Sequence, residues 1–139
     1  MLVVDESRIQ WAAECGAHLT YLLRKPTPLG IGIKCMVDHT SGIMLCTDLL
    51  EGKGIDNKKE FVAEYGVATA TTLHLVAPYF GSALVVIADS WFGSYKCAVA
   101  LRQRGLFSIM NVKTGHKKFP RDKIKKALQQ HGDQKHYRV

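Results

Sequence analysis

Two short apolar runs that each end on an aspartate constrain this chain more than any other feature of its sequence. Val85-Val86-Ile87-Ala88 is followed by Asp89, and Leu2-Val3-Val4 is followed by Asp5. Three of the four residues in the first run are β-branched, the composition of a strand buried in a parallel sheet. After Asp89 the residues Ser90-Trp91-Phe92-Gly93-Ser94 turn the chain toward a helix beginning near Gly93. An acid at the carboxyl end of a central strand faces the crevice where open α/β sheets bind ligands. Taken alone, Asp89 is more often a helix N-cap or a turn former. The second strand of the same design, ending on Asp5, is what gives the pair weight.

The remaining elements follow in order. Leu2–Val4 opens the chain as a strand, and since a central strand ordinarily has chain before it, Met1 reads as an internal methionine or a gene-model start. Residues 7–29 show no clean period, and Arg24 through Gly30 is an extended connector set by Pro26 and Pro28. Ile31, Ile33, Cys35 and Val37 alternate on one face of a strand. Asp38-His39-Thr40-Ser41-Gly42 has turn composition, and Ile43–Leu50 is the returning strand. Glu51–Asn57 reads as a polar loop and Lys58–Tyr65 as a short helical stretch closed by Gly66. Val67–Ala77 reads as a helix stopped by Pro78. Leu84–Ala88 is the central strand, Ser94–Arg104 a helix ended by Gly105, and Leu106–Met110 another strand. Pro120 opens a last basic helix through Gln130, with Ile124, Ala127 and Leu128 inward and Gly132 closing it.

This order, β-β-β-α-β-α-β and then a basic helix, predicts an α/β mixed sheet with helices packed on it. It is the order of the ribonuclease H-like fold, stopping before that fold's final catalytic helix. In that architecture the first and fourth strands of the series lie side by side, which brings Asp5 and Asp89 together.

Length and charge bound the partners. The 139 residues suffice for one domain with a core, and 47% hydrophobic with 22% charged is a globular composition. The net charge is +7, yet residues 1–112 carry ten Lys/Arg against ten Asp/Glu, while residues 113–139 carry nine against two. The chain therefore divides into a neutral body over 1–112 and a basic segment over 113–139, the start of an insertion or a linker. A basic segment on a neutral body suits a polyanion, nucleic acid before membrane, and equally suits a solvated surface helix. No apolar run reaches membrane-spanning length, and no signal peptide is visible. Cys15, Cys35, Cys46 and Cys97 form no C-x-x-C pair; the last three lie in apolar runs as small hydrophobes, and nothing requires a disulfide. The six histidines show no ligand spacing.

Two carboxylates held close together repel, and a divalent cation removes the conflict. Magnesium takes oxygen ligands and binds substrate phosphates directly, and paired ions can activate water and stabilise the departing oxygen in phosphodiester cleavage. A complete two-metal site wants a third acid. Asp122 and Asp133 lie in the basic segment, Glu6 points to the face opposite Asp5, and Asp38, Asp48 and Glu51 belong to the hairpin or its exit. None of them completes the site.

These segments, in this order, resemble the DDE/DDD transposase domain of the piggyBac family. Val4-Asp5-Glu6-Ser7 resembles the segment of the first catalytic aspartate. Lys25-Pro26 through Pro28, Gly30 and Lys34 resembles the K-P-x-P-x-G-x-K run. Ser41-Gly42 and Glu51-Gly52-Lys53 resemble the hairpin turn and the Y-x-G-K segment. Asp89-Ser90-Trp91-Phe92-Gly93-Ser94 is similar to the D-N-F-F-T-S motif of the second catalytic aspartate, with Ser90 for the usual Asn and Gly93 for the usual Thr. Leu101 through Gly105, Val112-Lys113-Thr114 and Phe119-Pro120 are similar to the segment that follows. The resemblance covers nearly the whole chain. It implies that Asp5 and Asp89 are catalytic metal ligands for Mg2+ or Mn2+, and that the third acid lies further along than residue 139. It also implies DNA partners, namely transposon ends and target, with no membrane, a nuclear location, and a homodimer in a full-length protein.

The parent activity is then DNA strand cleavage and transfer. The alternative is a catalytically inactive domesticated or relic domain acting as a DNA-binding or protein-interaction module. Lys25, Lys34, Lys113, Lys117, Lys118 and Arg121 are the candidate phosphate contacts, with Lys123, Lys125 and Lys126 in the same run; each also reads as an ordinary surface cation. Trp91 and Phe92 read as base-stacking or, beside a core strand, as packing residues.

Overall fold

The structure is a computed structural model. It describes residues 1–11, 16, 18–23, 25, 26, 28–113, 115, 116 and 119–128. Six strands form one sheet: β1 (Leu2–Gln10), β2 (Leu19–Tyr21), β3 (Leu29–Asp38), β4 (Met44–Leu49), β5 (Val85–Ala88) and β6 (Phe107–Met110). The helices are α1 (Lys53–Asp56), α2 (Val62–Tyr65), α3 (Val67–Val76), α4 (Tyr95–Gln103) and α5 (Arg121–Ala127), with a 3-10 turn over Ala77–Tyr79. The sheet order is β2-β3-β1-β5-β6, with β4 also paired to β3. β1 runs antiparallel to β3 and parallel to β5, and β5 runs parallel to β6. This is the mixed sheet of a ribonuclease H-like fold, and the first strand and the strand in the eighties are neighbours as the sequence predicts.

The core explains why. Leu2, Val4, Met36, Val86 and Ala88 point from one face of the sheet into a cluster with Leu73, Leu75 and Val76 of α3 and Cys97, Ala100 and Leu101 of α4. Alternation along a strand sends the intervening side chains the other way. That other face is open among the described residues: Ile9, Leu49, Phe107 and Ile109 are all exposed. The two-layer arrangement therefore has one dry side and one wet side.

Several expectations are revised. β1 extends to Gln10 instead of stopping at Val4, because β3 pairs with it along its full length, from Leu2 opposite Asp38 to Gln10 opposite Gly30. β2 has no counterpart in the sequence reading. It pairs with β3 through Leu19–Tyr21, and Arg8 steadies this region by donating from Nη2 to the carbonyls of Thr20 and Pro28. The polar loop after β4 contains the single turn α1, where Asp56 accepts the Gly52 N–H at 3.0 Å. In β3 the face carrying Ile31, Ile33, Cys35 and Val37 is turned from the helices, with only Cys35 buried on it, and Gly30, Gly32, Lys34 and Met36 are buried on the helix side. The last helix is α5, with Ile124, Ala127 and Leu128 half-buried; Gln130 and Gly132 lie outside the described residues.

Local signals hold elsewhere. Asp38 caps its hairpin by accepting the Ser41 N–H and hydroxyl, each at 2.8 Å, and Gly42 takes the positive φ of 70° that the turn needs. Ser94 is the N-cap of α4, accepting the Cys97 N–H at 3.0 Å. Cys35 and Cys97 are buried free thiols and Cys46 packs against the core, as small hydrophobes would. Burial pushes the Cys97 thiol up to about 11, so it stays protonated near neutrality.

Gly93 sits where the turn after β5 meets the end of β6. A Cβ there would lie 2.2 Å from the Asn111 carbonyl oxygen and 3.0 Å from that of Asp89. Both obstacles are backbone, so the strands themselves would have to part. Gly93→Ala should lower stability by about 1–3 kcal/mol, the usual cost of overpacking. Chemical denaturation reads this as a lower midpoint, with Gly54→Ala as control because nothing lies within 4 Å of that position.

Candidate active site

β1 and β5 pair in parallel with Leu2 opposite Val86, Val3 opposite Ile87 and Val4 opposite Ala88. The next residue on each strand is an aspartate. Neighbouring strands lie about 4.8 Å apart, so Asp5, within β1, and Asp89, just past the end of β5, stand on adjoining strands where their parallel pairing stops. Alternation puts them on the open face, opposite the buried Val4 and Ala88, and both are exposed. Glu6, one residue on, falls on the helix side, as the sequence predicts.

Each acid is held locally. The Glu6 N–H donates to Asp5 Oδ1 at 2.7 Å, and the Trp91 N–H donates to Asp89 Oδ1 at 2.9 Å. Asp89 is thus both a turn former and a strand-end acid; the two readings of it coexist. Among the described residues neither carboxylate has an ion-pair partner. Two like charges, one within β1 and one just past the end of β5, with no cationic side chain paired to either among the described residues, form a donor set of the kind a hard divalent cation binds. Among the described residues these are the two acids the register brings together. Asp38 is committed to its turn, and Asp48, Glu51 and Asp56 surround Lys59 at 2.8, 3.6 and 2.8 Å. Asp122 is exposed on α5, and Asp133 lies outside the described residues. Among the described residues no group of three His, Cys, Asp and Glu side chains is placed to share a metal ion.

The basic candidates separate. Lys113, three residues beyond β6, and Arg121, at the start of α5, are exposed. Lys25 is half-exposed, 3.6 Å from Glu6 Oε1. Lys117 and Lys118 lie outside the described residues. Lys34 is a correction: its side chain is only 3% exposed, its ammonium is 2.9 Å from Glu6 Oε2, and it sits 3.8 Å from the centre of the Trp91 ring. A cation so enclosed cannot reach a phosphate at the surface. Its position among Gly30, Gly32 and Met36 is the available signal, because those residues alternate onto the helix side of β3. Trp91 and Phe92 meet edge to face at 4.6 Å; Phe92 is fully buried in the core, while Trp91 stays partly exposed over Lys34.

A family model described as Transposase IS4 matches residues 1–138. The chain belongs to this DDE-type transposase family. Its fold is also that of a piggyBac transposase. The cryo-EM structure of the piggyBac transposase synaptic complex with hairpin DNA superposes with a TM-score of 0.76 at 22% identity, covering 92% of this chain and 26% of that one. The chain therefore spans about a quarter of the length of that relative. No curated protein matches it.

In this transposase-family domain the pair's surroundings carry a pH signature. The hydrogen bond from Lys34 holds the Glu6 carboxyl below its ordinary value of 4.5, against an opposing push from burial. A carboxylate whose folded value is depressed contributes stability above its ordinary value and loses it as pH falls through the folded one. Thermal melts from pH 6 downward should therefore show an acid-side loss of stability that is shallower in Glu6→Gln. Parallel curves for the two proteins would contradict the ion pair.

Proposed function

We propose that this domain supplies two of the acids of a metal-dependent DNA cleavage and strand-transfer centre in a piggyBac-type DDE/DDD transposase. The observation that supports this reading best is the placement of Asp5 and Asp89 one residue beyond the last paired residues, Val4 and Ala88, of two adjoining parallel strands, in a chain of the transposase family. Asp5 and Asp89 would hold Mg2+ or Mn2+ through their carboxylates, with the Glu6 and Trp91 N–H groups fixing one oxygen of each. When bound, such a cation lowers the pKa of a coordinated water or hydroxyl and stabilises the departing oxygen of a phosphodiester. The DNA would be transposon ends and target. The relative's synaptic complex with hairpin DNA and the basic character of residues 113–139 favour that partner. A nuclear location and a homodimer in the full-length protein belong to the same reading.

A second reading is favoured by the acid count. Among the described residues the other acids near the sheet are tied to turns or lysines, so a domain left with these two would bind DNA or protein without cutting. Both readings have a body over 1–112 followed in sequence by the basic segment 113–139, which carries DNA binding in the first reading and in the DNA-binding form of the second.

Two measurements test these readings. Mg2+ should raise the melting temperature of the wild-type chain, and Asp89→Asn should abolish that gain; an equal gain in the variant removes the metal site. DNA affinity should fall steeply with added salt. Replacing Lys113, Arg121, Lys125 and Lys126 by Gln should flatten the log–log salt slope by about 0.9 for each phosphate no longer neutralised. An unchanged slope assigns DNA binding elsewhere.

A further inference from the structure

The two carboxylates share a support on the far side of the sheet. The main-chain N–H groups that hold them belong to Glu6 and Trp91. The side chains of those same two residues converge on one buried ammonium. Lys34 Nζ is 2.9 Å from Glu6 Oε2 and 3.8 Å from the centre of the Trp91 ring, with the Phe92 ring 5.2 Å away. The contacts differ in kind. Glu6 meets the cation through a charge-assisted hydrogen bond, and Trp91 through the negative face of its ring. Phe92, buried beneath, fixes the Trp91 ring edge to face.

We propose that Lys34 is the positioning residue of the Asp5–Asp89 pair, clamping Glu6 and Trp91 so that their backbones present the two carboxylates to one divalent cation. The pair belongs to two different strands, one reached directly and the other through a turn. Lys34 is the side chain that touches both carriers. Glu6 is drawn down on the β1 side, and the turn Asp89–Gly93 is drawn down on the β5 side. Removing the ammonium takes away the 2.9 Å contact, shorter than the 3.6 Å approach of Lys25 to the same carboxylate, and the cation over the half-covered Trp91 ring. This inference rests on the metal-binding reading above.

The test uses the whole chain and two readouts. An amide proton donating to a carboxylate resonates downfield. In 15N-resolved spectra of the wild type, the residue 6 and Trp91 amides should both behave so. In Lys34→Met both should move upfield while amides of α3 and α4 stay in place. Unmoved residue 6 and Trp91 amides would overturn the clamp. Should Lys34→Met fail to fold, Glu6→Gln gives the same decision: the Trp91 amide, on another strand's turn, should shift when the clamp is loosened at β1, and an unshifted one overturns the proposal. The second readout is Mn2+ affinity by electron paramagnetic resonance, expected at least fivefold weaker in Lys34→Met. Equal affinity in a folded variant also overturns the proposal. A wild type that binds no Mn2+ overturns the metal-binding reading instead, and the amide shifts still decide the clamp.

Discussion

The parallel pairing of β1 with β5 is the constraint on which everything else in this structure depends. It is a non-local pairing between residues more than eighty positions apart, and side chains on one face secure it. Leu2 and Val4 lie beside Val86 and Ala88, and all four sink into the layer made by α3 and α4. A slip of one residue in either strand would turn its two apolar residues outward and send its acid beneath the sheet. Burial of the apolar set thus also fixes where the carboxylates stand. In a transposase-family domain, the hydrophobic register and the chemical site are a single specification.

The second constraint is a charge placed where apolar residues would be expected. Lys34 lies between Gly32 and Met36 on the buried side of β3. Enclosing an ammonium is costly unless it is paired. Glu6 supplies the countercharge from the adjoining strand, and Trp91 covers the remainder with its ring. A hydrophobic residue of similar length would fill the same volume. What it would lack is the directional hold on two separate segments, each next to an acid of the pair.

Much of this is legible in the chain itself, and the failures have physical causes. Val85–Ala88 and Leu2–Val4 are readable because continuous apolar runs ending on acids have few structural meanings. Ser94, Gly42 and Pro78 mark their turns and caps through their own backbone chemistry. β2 is invisible because three residues show no period, and its order comes from Arg8 and β3, not from its own side chains. The length of β1 is hidden because Asp5, Ser7 and Ile9 face water, so burial does not mark the strand beyond Val4. Lys34 misleads because a lysine in a polar motif looks like a surface cation until its neighbour across the sheet is known. The transposase resemblance points to Asp5 and Asp89; only the pairing register puts them on one face.

The uncovered side of the sheet bears on how the acids behave in company. Ile9, Leu49, Phe107 and Ile109 stand exposed on the same face as the two negative charges, so an oily plateau shares that face. Any body that settles on this plateau excludes water from Asp5 and Asp89, lowers the local dielectric and sharpens their mutual repulsion. A cation relieves that repulsion, so lid and ion must strengthen one another by the same factor in either order of arrival.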